Sequence, residues 1–114
     1  PPFEQPDDYV RSARTTLDLI AQDPGATVAI WTPLKDLETF DGFLRRLSGP
    51  DLGKAGLLVA EARLRPLTNP MTMNGCAMVV VNPPAGCEAA AAEICDWVAD
   101  RLGDTGARAE VWMT

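Results

Sequence analysis

Two apolar runs, Leu57-Leu58-Val59-Ala60 and Cys76-Ala77-Met78-Val79-Val80-Val81, are joined by a stretch with no helical periodicity, and this restricts the fold more than any other feature. The stretch carries Pro66 and Pro70, Asn69 and Asn74, and Thr68 and Thr72, which is loop chemistry. Parallel strands need a long crossover between them, usually a helix, so the two runs are expected to pair antiparallel. Both runs are continuous rather than alternating, the pattern of strands covered on both faces, so helices must lie against the sheet.

The helices are legible on either side of this pair. Asp7 and Asp8 offer N-cap and first-turn negative charge, and Val10, Ala13, Leu17 and Ile20 recur at helical spacing, predicting a helix over 7–22 that ends at Asp23-Pro24-Gly25. Residues 26–31, Ala-Thr-Val-Ala-Ile-Trp, read as a strand buried on both faces. Asp36 caps a second helix with Leu37, Phe40, Phe43, Leu44 and Leu47 on its apolar face and Arg45 and Arg46 near its C-terminus, ended by Ser48-Gly49-Pro50. The strand from Leu57 passes into the alternation Glu61-Ala62-Arg63-Leu64-Arg65 before Pro66 closes it. Ala90, Ile94, Trp97, Val98 and Leu102 predict a third helix over 88–102, ended by Gly103, and residues 107–113 alternate as a last strand. The order fits an α/β layer sandwich, and 114 residues form one domain.

Composition narrows the chemistry. The net charge of −6 has the wrong sign for holding nucleic acid through phosphate neutralisation alone, so such a role needs a local basic face. With no histidine, nucleophile pairs that depend on it and histidine-ligated zinc are excluded. Cys76, Cys87 and Cys95 contain no C-x-x-C pair and are expected to stay unbridged, as in a reduced cytoplasmic protein; no metal and no membrane span are expected. Gly49, Gly53 and Gly56 around Lys54 lack the spacing and the Ser or Thr of a phosphate loop. Glu61, Arg63 and Arg65 share a strand face, either as a solvated, charge-paired edge or as a contact to a phosphate backbone. Lys35 follows a strand exit, the end of an α/β sheet where ligands sit, and reads first as a surface lysine starting a helix and second as a ligand contact.

Two proline pairs remain, Pro1-Pro2-Phe3 and Asn82-Pro83-Pro84-Ala85. Both resemble the Asp/Asn/Ser-Pro-Pro-aromatic tetrapeptide of methyltransferases that act on exocyclic amines of nucleobases. An adenine amino nitrogen is a poor nucleophile because its lone pair is delocalised into the ring. Hydrogen bonds from its N–H groups to a side-chain oxygen and to the first proline's carbonyl shift it toward sp³ geometry, and two prolines preorganise those acceptors. The aromatic residue stacks on the extruded base.

Together with Ile30-Trp31-Thr32-Pro33-Leu34-Lys35, Glu61 and its strand, and Asn74-Gly75-Cys76, these pairs resemble in order and spacing the C-terminal part of the RlmJ-type methyltransferases. The resemblance implies the C-terminal half of a Rossmann-like class I methyltransferase sheet, ordered 3-2-1-4-5-7-6, with the strands near 26–31, 57–65 and 76–81 as fifth, sixth and seventh. It implies a mixed sheet with an antiparallel strand pair and helices on its faces. It also implies S-adenosylmethionine as cofactor and an adenine N6 of large-subunit ribosomal RNA as substrate. Pro1 (through its carbonyl), Pro2 and Phe3 would be the last three residues of the catalytic tetrapeptide, with the Asp preceding Pro1; Phe3 and Lys35 would contact substrate. Thr32 and Ala85 stand where the family has Tyr and Trp. On this reading residues 1–114 are a fragment, inactive alone, with its donor site elsewhere in the parent, and it self-associates through an exposed sheet edge. The competing reading is a non-catalytic α/β interaction or self-association module.

Overall fold

The computed structural model describes Phe3, Gln5 and residues 7–114. In chain order the elements are α1 (Asp8–Gln22), β1 (Val28–Leu34), α2 (Leu37–Leu47), β2 (Leu57–Arg63), β3 (Gly75–Val81), α3 (Cys87–Leu102) and β4 (Arg108–Met113), with a 3₁₀ turn at Pro50–Leu52. The four strands form one sheet in the order β1-β3-β2-β4. As the helix-free connection requires, β3 is antiparallel to β2, with Val59 opposite Val79. Every hydrogen-bonded neighbour in the sheet is antiparallel, which corrects the expected mixed sheet. Because β1 and β2 both run against β3, they point the same way without touching.

Side-chain alternation sorts the core into two layers. Ile30, Leu34, Leu57, Val59, Ala77, Val79 and Val81 face α1 and α2, where Phe40, Phe43 and Leu47 are almost fully buried. Each buried Val, Leu, Ile or Phe side chain contributes roughly 1.5–3 kcal/mol by leaving water. The opposite face is built from small groups, Ala60, Ala62, Ala109 and Val111 against Cys95, Ala91 and Val98 of α3. Here the sequence expectation fails: Ile94, Trp97 and Leu102 point outward, 63%, 57% and 64% exposed, while Cys95 and Ala99 are buried. Small side chains on both surfaces let the helix axis approach the sheet closely, and that outweighs burying the larger residues.

Two further expectations are corrected. α3 packs over β2 and β4 and does not reach β1, so Ala29 and Trp31 are exposed on one face instead of the strand being covered on both. Glu61 is not on a solvated edge, because β4 pairs outside β2 and places Glu61 in the interior at 1% exposure. At α1 the Asp7 side chain makes no capping bond, and Asp8 is buried, accepting from the Gln5 amide at 3.1 Å. Asp36 caps α2 as expected, its Oδ1 accepting from the Thr39 amide at 2.8 Å.

Candidate functional site

One row of the sheet gathers the loops where ligands of α/β sheets bind. Leu34 at the exit of β1, Gly75 at the start of β3, Arg63 at the exit of β2 and Arg108 at the start of β4 lie side by side in register. This is the carboxyl end of the two co-directional strands. Glycine is required at position 75, since a Cβ there would overlap the Ala62 carbonyl oxygen and press on Arg63 Cα.

Asn74 holds the row together and is itself 1% exposed. Its amide donates to the Leu34 carbonyl at 2.7 Å, and its Nδ2 donates to the carbonyls of Lys35 and Asn69, both at 2.8 Å. Its own carbonyl accepts from the Leu64 and Arg65 amides at 2.9 and 3.2 Å. One side chain thus ties the β1 exit to the loop between β2 and β3. Lys35 is half-buried, and the Asn74 bond fixes its backbone just ahead of α2.

Next to Pro33 lies an aromatic group. Tyr9 donates its hydroxyl to the Pro33 carbonyl at 3.4 Å, and its ring meets Phe43 edge-on at 5.7 Å. Burial, and then the nearby Asp36 carboxylate, push the Tyr9 phenol above its usual range. Phe3 has a left-handed backbone, φ 58°, and packs against Tyr9 at 4.8 Å and Trp31 at 6.4 Å. It is 4% exposed, so its ring, expected to face a cleft, lies in the core because Tyr9 supplies an apolar wall on that side. Pro1 and Pro2 lie outside the described residues. Thr32, at 0% exposure, faces the core, and Ala85 is on the surface.

Charge concentrates at the β2–β4 end of the row. Arg63 donates to buried Glu61 through Nε at 2.9 Å, and its Nη2 lies 2.9 Å from the same oxygen. Burial raises the Glu61 carboxyl above its ordinary value, opposed by Arg63 and reinforced by the charges of Glu110 and Asp41. The sequence marked Glu61, Arg63 and Arg65 but missed Tyr9 and Arg108, because the placement of β4 beside β2 has no local signature. Among the described residues no group of His, Cys, Asp or Glu could hold a metal ion, and no helix is long and apolar enough to cross a membrane. The three cysteines are free thiols.

A family profile described as ribosomal RNA large subunit methyltransferase D, RlmJ, matches residues 1–114. The chain belongs to the RlmJ family. Ten solved chains resemble it; one is the crystal structure of protein LPL1258 from Legionella pneumophila strain Philadelphia 1, described with the DUF519 family, at TM-score 0.82 and 15% identity. That likeness covers 98% of this chain but 40% of the Legionella protein, so the RlmJ-family chain spans less than half of its structural neighbour. No curated protein matches it. Two cavities among the described residues of this RlmJ-family chain lack the features of a methyl-donor site. One cavity, about 590 Å³ between α1 and Arg46, is lined by Val10, Ala13, Leu17 and Ala21 with Arg14 and Asp18, and has no glycine turn. The cavity of about 440 Å³ beside Gly53 offers Lys54 and Asn82 but no carboxylate for a ribose.

Proposed function

We propose that this chain is the C-terminal part of the catalytic domain of a methyltransferase that uses S-adenosylmethionine to methylate the exocyclic N6 amine of an adenine in large-subunit ribosomal RNA. The observation that carries the reading is the RlmJ family match over residues 1–114. The order β1-β3-β2 supports it, being that of the fifth, seventh and sixth strands of such a sheet, with β4 added outside. The donor supplies an electrophilic methyl group, and its site belongs to the part of the parent beyond these residues. In the parent, the Pro1 carbonyl accepts from the target amine and the two prolines hold it rigid. Phe3, buried against Tyr9, acts as a core residue at the entry to α1 rather than as the stacking ring, and Lys35 at the β1 exit meets the substrate.

The parent protein should transfer labelled methyl from S-adenosylmethionine to unmodified large-subunit ribosomal RNA, with N6-methyladenosine as the product in a nuclease digest; label appearing only on another base overturns the assignment. Residues 1–114 alone should neither bind the donor in calorimetry nor transfer methyl. Phe3→Ala in the parent should cost about 3–5 kcal/mol of stability, the usual loss for a buried Phe. Single-turnover methylation per folded molecule should stay near normal. A ring that instead stacked on the extruded base would show slow chemistry at near-normal stability, with a loss of about 1–3 kcal/mol in the reaction.

A further inference from the structure

At the far end of the row from Phe3, a cavity of about 340 Å³ is lined by Arg63, Arg65 and Arg108 together with Leu37, Leu67 and Thr68. Three of the chain's ten basic residues therefore meet at one cavity in a molecule whose net charge is −6. No carboxylate contributes to the lining. The carboxylates stand behind the guanidinium groups: Glu61 on Arg63 Nε at 2.9 Å, Asp104 on Arg65 Nε at 3.1 Å and Glu110 on Arg108 Nε at 3.0 Å. Arg65 and Arg108 are held at Nε and Arg63 at both Nε and Nη2, and the Met73 carbonyl accepts from Arg65 Nη1 at 2.8 Å. A guanidinium has five N–H donors in a fixed fork, so every one of the three keeps donors to spare.

The strand register argues that the cluster is built for a ligand. Across β2 and β4, Arg63 stands opposite Arg108 and Glu61 opposite Glu110. Like charges directly opposite destabilise a sheet, and swapping Arg108 with Glu110 would give two favourable cross-strand pairs on the same backbone. Instead both cations lie at the outer end of the ladder, beside the cavity, and both anions lie one step inward. The volume is at the lower end of the roughly 300–1,000 Å³ common for ligand sites. Convergent forks suit a phosphate, which guanidinium groups bind bidentately.

We propose that this cavity binds a backbone phosphodiester of the RNA substrate, on the same sheet end as Lys35. The inference deepens the proposed function and rests on the reading of the parent as an RNA methyltransferase. It supplies the local basic face that an acidic chain requires to hold RNA.

The test is binding of a labelled ribosomal RNA fragment to the full-length parent by fluorescence anisotropy across a salt series. Arg65→Gln and Arg108→Gln should each weaken binding and reduce the slope of log affinity against log salt by about one, the share of one phosphate contact. Arg108→Lys keeps the charge and should retain the wild-type slope, which a purely structural role for the guanidinium would not predict. The Arg108 side chain is 61% exposed, so its variants should fold, and they decide the matter even if Arg65→Gln lowers the melting temperature severely. Arg63 is avoided because its loss would strand buried Glu61. A wild-type slope in Arg108→Gln overturns the site while leaving the proposed function intact. Stabilisation of the wild-type parent by inorganic phosphate, with RNA affinity indifferent to Arg108→Gln, also overturns it, in favour of a small anion. A parent that neither binds nor methylates ribosomal RNA overturns the function and the site together.

Discussion

Thr32 and Glu61 are two polar side chains on the α1/α2 face of the sheet, and they meet burial differently. The Thr32 hydroxyl is buried with no hydrogen-bond partner among the described residues. An unpaired buried polar group costs about 1–3 kcal/mol, so Thr32→Val, which keeps the shape, should raise stability by about 1 kcal/mol in urea unfolding; a loss would mean that the hydroxyl has a partner. Glu61 is paired with Arg63, yet burial still raises its carboxyl above the ordinary 4.5. The folded state then holds a proton that the unfolded chain releases near 4.5, so Glu61's contribution to stability falls as pH rises from there through its raised folded value. Above both values the difference is constant. The stability of the wild type relative to Glu61→Gln should therefore decline with rising pH across that window in unfolding at fixed temperature, and a difference that grows with pH would refute the direction. Sequence placed Glu61 and Arg63 on one strand face correctly, whereas Arg65 lies beyond the end of β2 at Arg63 and pairs with Asp104; the burial of Glu61 depends on what pairs beside β2, which no local pattern encodes.

Element by element, strand and helix positions were legible within a few residues because turn chemistry brackets them: Asp23-Pro24-Gly25 after α1, Ser48-Gly49-Pro50 after α2, Gly103 after α3. The faces were less legible. Periodicity identified α2, where Phe40, Phe43 and Leu47 are buried as expected, and misread α3, whose alanine and cysteine face packs while Ile94 and Trp97 do not. Apolar spacing locates a stripe, but when small residues form a second stripe the closeness of packing decides between them. The same closeness governs the start of β3. Gly75→Ala would drive a methyl into backbone atoms of Ala62 and Arg63, which cannot swing aside as a side chain can. Overpacking of this kind costs about 1–3 kcal/mol, and here the upper end or beyond is expected, with the loss visible as a lower denaturation midpoint at unchanged slope. A neutral Gly75→Ala would show that β3 can shift its register at Asn74.

At the scale of the molecule, the order β1-β3-β2 followed from one helix-free connection and the family resemblance, whereas β4 at the outer edge did not, since a terminal strand can join either side. The sheet therefore has two edges, β1 and β4. On β1, Pro33 has no N–H, and its carbonyl is taken by Tyr9 rather than by β3. Backbone groups alternate sides along a strand, so Ala29 and Trp31 also turn theirs outward, as Pro33 does. Proline is a natural guard of sheet edges and limits any added pairing to Val28–Thr32. Beside that short edge Trp31 and Met78, opposite each other in the ladder, are 44% and 40% exposed on the part of the α3-facing side of the sheet that α3 leaves uncovered. Backbone donors and acceptors next to exposed apolar side chains make a template for a second copy. Residues 1–114 in isolation should sediment as a concentration-dependent self-associating species. Ala29→Lys with Trp31→Lys should return it to monomer with its circular dichroism intact, because charge on an edge strand opposes pairing. A folded wild-type chain that remains monomeric at the highest soluble concentration, or a double variant that associates as before, would place the contact elsewhere, with the exposed Ile94 and Trp97 of α3 the next surface to substitute.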